Sequence, residues 1–270
     1  MTDWVQILSD NLADVSDERA REIGKLVTEK MVVVLRNQNL TVEEQLRFTK
    51  ACGRVASTNP SVVGEKAKHM AIADGVVRVT GKKNKDGKKG LFGHKETLDW
   101  HCNMPSTSHR PPLIWLYGSK GTEGSRTSWL NNLEAYKELP IDLYEEIKDI
   151  EITLGYKVGA YSSEKVFEES HDTDKPIKII QTNAAGYTGL YFPFLQIFGM
   201  KDVSDNKFYE IMEKLKAHVL QEKYIYHHDW QDGDVVISEQ WLSLHKRWKF
   251  QKIEERVLHR IAFDYSKIYD

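Results

Sequence analysis

Cys52 and Cys102 are the only thiols in this 270-residue chain. Two cysteines cannot frame a disulfide-stapled fold, and they fit a reducing compartment. Excess charge of one sign is also missing. The 38 lysines and arginines face 40 aspartates and glutamates, a formal net charge of -2, so general nucleic-acid binding is not expected. No run approaches the roughly 20 apolar residues that a membrane-spanning helix needs. The opening MTDWVQILSDNLADVSDE carries neither the basic start nor the apolar core of a signal peptide. There is no internal repeat. These absences predict a cytoplasmic protein that meets neither membrane nor nucleic acid.

What is present suffices for a sizeable core, with 40% hydrophobic and 10% aromatic residues. The stretch from Ser16 to Met31 has helical spacing, with Ile23, Leu26 and Val27 on one side, and it opens on a serine followed by acids. MVVVLRNQ, from Met31 to Gln38, is short and β-branched, as a buried strand requires. Thr41 and Glu44 form a capping box before a second helix, and Gly53 is placed to end it. From Pro112 onward, LIWLYGSK, SRTSWL, KIIQTN, GLYFPFLQIF, KYIYHH, DVVISEQW and RVLHRIAFDY read as short strands. Helical interruptions fall near Leu133–Leu139, Ile141–Lys148 and Asn206–Leu220. Many short strands separated by turns predict a sandwich or barrel decorated with helices, a single domain over residues 1–270. The main compositional break is residues 81–96, opening GKKNKDGKKGLFG; it reads as a flexible, solvated loop or, because it leads into His101, as a lid.

Two places concentrate polar side chains within strand-like sequence. In LDWHCN, extended backbone would put His101 and Asn103 on one side, because strand side chains alternate, and Cys102 on the other. A histidine and an oxygen donor on one face make two adjacent metal ligands, and His245, after the apolar DVVISEQWLSL, is the best third. By itself a His-x-Asn pair is more often an ordinary hydrogen-bonded pair. Of the adjacent His227 and His228, at most one can face such a cluster. The second place is RVLHR, where Arg256 and Arg260 share a strand face. Guanidiniums pointing into a barrel need anions to pair with, and their planar fork matches carboxylates. An edge strand with two solvated arginines is the alternative.

The order of these segments resembles the TauD/TfdA family of iron(II)- and 2-oxoglutarate-dependent dioxygenases. MVVVLRNQNLTVEEQLRFTKACGRV is similar to that family's N-terminal strand-helix unit, and WHCN falls where it has Trp-His-x-Asp. DVVISEQWLSLH resembles the strand that carries the distal histidine, and His245 to Arg256 keeps the family's His-x10-Arg spacing. The resemblance runs from about Val32 to Tyr265. It implies a mainly β fold with peripheral helices around a double-stranded β-helix, a jelly-roll or cupin-like core. It also implies Fe(II) held by His101, Asn103 and His245, and 2-oxoglutarate held by Thr127 and Arg256, with Arg260 reaching a substrate anion or the co-substrate. The expected reaction uses O2 to hydroxylate a small anionic or zwitterionic substrate, releasing succinate and CO2. A homo-oligomer is compatible with this.

Asn103 departs from that pattern, which has a carboxylate there. A neutral amide oxygen coordinates a hard metal more weakly and leaves the site one unit more positive. Four explanations are open: a natural ligand in an active enzyme, a halogenase-like site completed by an anion, a non-catalytic ligand-binding protein, or an engineered Asp-to-Asn change. The intact Thr127, His245 and Arg256 favour the first. Asparagine has nearly aspartate's volume and would obstruct a halide. Phe192 and Phe194 are candidates for a pocket wall, with ordinary core as their simpler role; Trp115, Trp129 and Trp230 read the same way.

Overall fold

A computed structural model describes residues 3–58, 69–103, 111–154 and 176–269. The first amphipathic segment forms helix α1 (Asp17–Lys30), where Ser16 Oγ accepts from Arg19 N and Asp17 and Glu18 occupy the first turn. Acids there complement the helix dipole. Met31, at φ 63°, turns the chain out of the helix and into the strand Val32–Leu35. The capping box of α2 (Val42–Cys52) forms as read: Thr41 Oγ1 accepts from Glu44 N, and Glu44 accepts from the Thr41 backbone. Gly53 donates its N–H to Thr49 O to close that helix.

The strands in chain order are β1 (Val5–Leu8), β2 (Val32–Leu35), β3 (Ala71–Ala73), β4 (Val76–Val79), β5 (Leu98–His101), β6 (Leu113–Lys120) and β7 (Arg126–Asn131). After helices α3 (Asn132–Lys137) and α4 (Ile141–Ile147) come β8 (Glu151–Leu154), β9 (Ile177–Lys178), β10 (Ile180–Thr182), β11 (Thr188–Leu190) and β12 (Ile197–Met200). Helix α5 (Asp205–Val219) then leads to β13 (Ile225–Asp229), β14 (Val235–Glu239), β15 (Ser243–Arg247) and β16 (Val257–Phe263). The major sheet has seven strands in the order β1-β2-β14-β6-β16-β4-β3, and a second sheet runs β13-β7-β15-β5. Two small sheets, β12-β8-β9 and β10-β11, complete a jelly roll.

Period-two alternation decides what each strand contributes. On β6, Ile114 and Leu116 enter the core between the two large sheets, where they meet Trp129, Val236 and Leu258. Leu113, Trp115 and Tyr117 face the opposite way, toward Ile23 and Phe48 of the helices. Each such fully buried side chain contributes about 1.5–3 kcal/mol. On β16, Leu258 joins the inter-sheet core while Ile261 and Phe263 face the helices. Arg256 and Arg260, in phase with Leu258, therefore belong to the inner face. The solvated-edge alternative for these arginines is excluded, because β16 lies between β6 and β4 and Arg256 is 2% exposed.

GLYFPFLQIF does not form one strand. Its ends belong to β11 and β12, and Phe192 and Phe194 pack in a third core with Trp100 and Leu244. Pro193 explains the break, since it cannot donate to a ladder.

Candidate functional site

The second sheet builds one wall of the site. β15 pairs with β5 in a register that sets His245 opposite His101, and their ring centroids lie 4.2 Å apart. His101 Nδ1 donates to Asp99 O at 2.6 Å, which makes Nε2 the nitrogen that carries the lone pair. Burial pushes the His101 imidazolium down to about 4, aided by the charges of Arg247 and Arg260. Burial also holds His245 well below its ordinary value, with His101 and Arg260 adding to the effect. Both rings are therefore neutral near pH 7, the form that can ligate a metal.

Asn103 lies just beyond the end of β5, and its position is fixed by two buried glutamines. Gln240 Oε1 accepts from Asn103 N at 2.8 Å, while Gln240 Nε2 donates to Pro111 O. Gln196 pairs with both backbone groups of Cys102, accepting at 3.0 Å and donating at 2.9 Å. Cys102 itself packs away from the site beside Tyr191, as the alternation predicts. The amide of Asn103 spans two neighbours. Arg260 Nη1 donates to Oδ1 at 2.8 Å, and Nδ2 stands 3.2 Å from His245 Nε2. Guanidinium has donors only, so the amide oxygen must face Arg260 and the NH2 must face the imidazole.

The residues meet a divalent metal's requirements in part. Two neutral imidazoles side by side suit iron(II) among the first-row divalent ions. Among the described residues no group of three His, Cys, Asp or Glu side chains is placed to hold a metal, and position 103 contributes an amide instead of a carboxylate. His227 and His228 stay outside this cluster. His227 bonds Ser128 Oγ and Glu222, while the fully buried His228 lies 3.1 Å from Asp234 Oδ2.

A second polar cluster, around a buried cation, lies where the residues before β16 meet those before β7. Arg256 Nε donates to Ser125 Oγ at 3.0 Å, and its Nη1 has no hydrogen-bond partner among the described residues. Its guanidinium lies over Phe250, 4.9 Å from the ring centroid. Burial, and secondarily the charge of Arg247, push this guanidinium down to about 9, because a buried cation without a counter-charge is disfavoured. Thr127, two residues from Ser125 and buried, accepts a hydrogen bond from Trp230 Nε1 at 2.9 Å. Since indole only donates, the Thr127 hydroxyl proton is free to point at a ligand.

Sequence reading placed His101, Asn103, His245, Thr127, Arg256 and Arg260 at this site, and the fold brings His101, Asn103, His245 and Arg260 into contact. It missed Arg247, Ser125 and the two glutamines, and gave Trp230 only as a pocket-wall candidate or core residue. Arg247 faces Thr127 across β15 and β7, and donates at 2.8 Å to the carbonyls of Phe92, His94 and Glu96. That guanidinium ties the end of the lysine-rich loop to the strand carrying His245. Phe92, at φ 51°, sets its ring 6.2 Å from His101. Gly81 N and Gly90 N are anchored to Ile253 O and Thr80 O. The only sequence signal for Arg247 was a charge in phase with His245 on a strand.

A family profile described as "Taurine catabolism dioxygenase TauD, TfdA family" matches residues 3–262. The chain is 23% identical over 271 residues to pentalenolactone F synthase of Streptomyces arenae, covering 92% of this chain and 87% of that protein. It is also 23% identical over 278 residues to the alpha-ketoglutarate-dependent 2,4-dichlorophenoxyacetate dioxygenase of Burkholderia sp. (strain RASC), covering 93% and 88%. Among solved structures, AAD-2 in complex with Mn(II) and N-oxalylglycine superposes with a TM-score of 0.81 at 19% identity, covering 100% of this chain and 97% of that one. A taurine dioxygenase from Burkholderia xenovorans gives 0.72 at 15% identity, covering 96% and 88%.

Proposed function

This chain belongs to the taurine catabolism dioxygenase TauD, TfdA family, and from that premise we propose that it uses 2-oxoglutarate and O2 to hydroxylate a small anionic substrate at the His101–His245 face. The observation that carries the reading is Arg256: a buried guanidinium with an open Nη1, beside a threonine whose hydroxyl is set to donate. Two carboxylate oxygens satisfy both groups at once. Arg256 supplies charge and direction, Thr127 a second donor, and Phe250 an apolar face that excludes water.

His101 and His245 would hold an iron(II) ion, which when bound supplies oxygen activation coupled to decarboxylation of the oxo acid. The chain's own contribution is orientation. Asp99 O fixes the His101 tautomer, Gln240 and Gln196 fix the backbone from Cys102 to Asn103, and Phe92 packs edge-to-face with the His101 ring. The loop leading into the site supports an anionic substrate, since it carries lysines 82, 83, 85, 88 and 89. One relative is named for a phenoxyacetate, which is a carboxylate.

A second reading is favoured by one observation. Arg260 occupies the Asn103 oxygen, so the same pocket could bind 2-oxoglutarate without turnover. The separating experiment measures succinate with iron(II), O2 and 2-oxoglutarate in the native chain and in Asn103→Asp. Iron-dependent succinate in both supports the oxygenase. Succinate only in Asn103→Asp would assign the native chain to ligand binding, and succinate unaffected by Arg256→Met would remove the co-substrate site.

A further inference from the structure

The family resemblance makes position 103 a metal ligand, and the geometry around it says otherwise. The Asn103 oxygen is 2.8 Å from Arg260 Nη1, and its NH2 group, 3.2 Å from His245 Nε2, is turned toward the imidazole face. Neighbouring donor atoms on a six-coordinate ion with bonds of about 2.1 Å lie roughly 3 Å apart. The 3.2 Å spacing is thus that of two ligands, but the atom presented beside His245 is an amide nitrogen carrying two hydrogens. Such a nitrogen has no lone pair to give.

Turning the amide over would bring its oxygen to the ion and set its NH2 against the guanidinium, donor against donor. Arg260 cannot accommodate that, since it has no acceptor. Nor can the backbone swing away easily, because Asn103 N is held by Gln240, and Gln196 clamps the preceding residue. Aspartate at 103 would behave differently. A carboxylate has two acceptor oxygens and could serve Arg260 and a metal together.

We propose that Arg260 is a positioning residue that holds the Asn103 amide oxygen away from the metal face, so that this chain binds a divalent ion through His101 and His245 without a ligand from position 103. The proposal rests on the metal reading of the two histidines. It replaces the expectation that Arg260 serves the substrate, and it leaves the third coordination position to water or an exogenous ligand, with the Asn103 NH2 as a donor beside it.

The test titrates the metal-free chain with Mn(II), following the free ion by electron paramagnetic resonance. Asn103→Ala should change the Mn(II) Kd by less than about twofold, because the lost oxygen was never a ligand. Arg260→Met should tighten it by about tenfold, the scale of freeing one charge-assisted hydrogen-bond acceptor. Adding Asn103→Ala to Arg260→Met should reverse most of that gain. Arg260→Gln serves as a second variant if the methionine chain melts early by circular dichroism. In the absence of metal, the Asn103 side-chain 15N resonance should shift on Arg260→Met. The proposal is overturned if Asn103→Ala alone weakens Mn(II) about tenfold, which would make the amide a ligand already. It is equally overturned if the Arg260→Met gain survives Asn103→Ala intact, since Arg260 would then act by charge alone. If His245→Ala leaves Mn(II) binding unchanged even in the Asn103→Asp chain, the metal reading itself fails.

Discussion

The two halves of the site differ in how their polar groups are satisfied. Among the described residues the buried Arg256 charge has one hydrogen bond, to Ser125, and an open donor, a demand that a carboxylate would meet. At the Asn103 position both ends of the amide already have partners inside the protein, Arg260 and His245. A cation buried without a counter-charge is costly unless something binds it, whereas a closed hydrogen-bond chain needs nothing more. On the proposed reading, the Arg256 side would keep the family pattern while the metal face would differ by one atom.

The largest test of that contrast is Arg256→Met. Removing one partner of a buried, hydrogen-bonded charge pair costs about 2–5 kcal/mol, so N-oxalylglycine or 2-oxoglutarate affinity should drop by about two orders of magnitude in calorimetry. A loss under threefold would mean the pocket's charge serves something else. Next in size is Arg247→Met, which strands the carbonyls of Phe92, His94 and Glu96 and should lower stability by about 1–3 kcal/mol. Trypsin should then cut faster among lysines 82–89. Unchanged cleavage would detach the loop from β15.

A smaller effect is expected from Trp230→Phe, which keeps the ring and deletes the N–H on Thr127. Losing one neutral hydrogen bond costs about 0.5–1.5 kcal/mol, so binding of 2-oxoglutarate should weaken about three- to tenfold. A 2-oxo acid lacking the distal carboxylate should be indifferent, and in a Thr127→Val chain the tryptophan change should add nothing. An equal loss for both acids would mark Trp230 as packing only. The smallest expected effect lies outside both regions, at Asp264. Burial raises its pKa, but hydrogen bonds from Ser266 and Arg54 outweigh that and hold it below the usual carboxylate range. A depressed folded pKa contributes stability that is present above about pH 4 and is lost as pH falls through the folded value. Acid melts of Asp264→Asn should therefore be flatter than native below pH 4, with the two site regions unaffected at neutral pH.

Much of this was legible in residue order. The capping box at Thr41, the strand at Val32–Leu35 and the shared face of Arg256 and Arg260 follow from local chemistry and period-two alternation, and each stands in the fold. GLYFPFLQIF misled because apolar content says nothing about where a proline interrupts a ladder. Arg247, Gln196 and Gln240 could not be read, because their partners are backbone groups on other segments, such as Glu96 O and Cys102 N.

Position 103 marks the boundary between the two kinds of knowledge. By itself the sequence determined the family, the jelly roll and the asparagine at position 103, since these depend on residue type, spacing and alternation. Only the tertiary structure decided which way the Asn103 amide points. That depends on Arg260, 157 residues along the chain, being brought within 2.8 Å by β16 and offering donors alone.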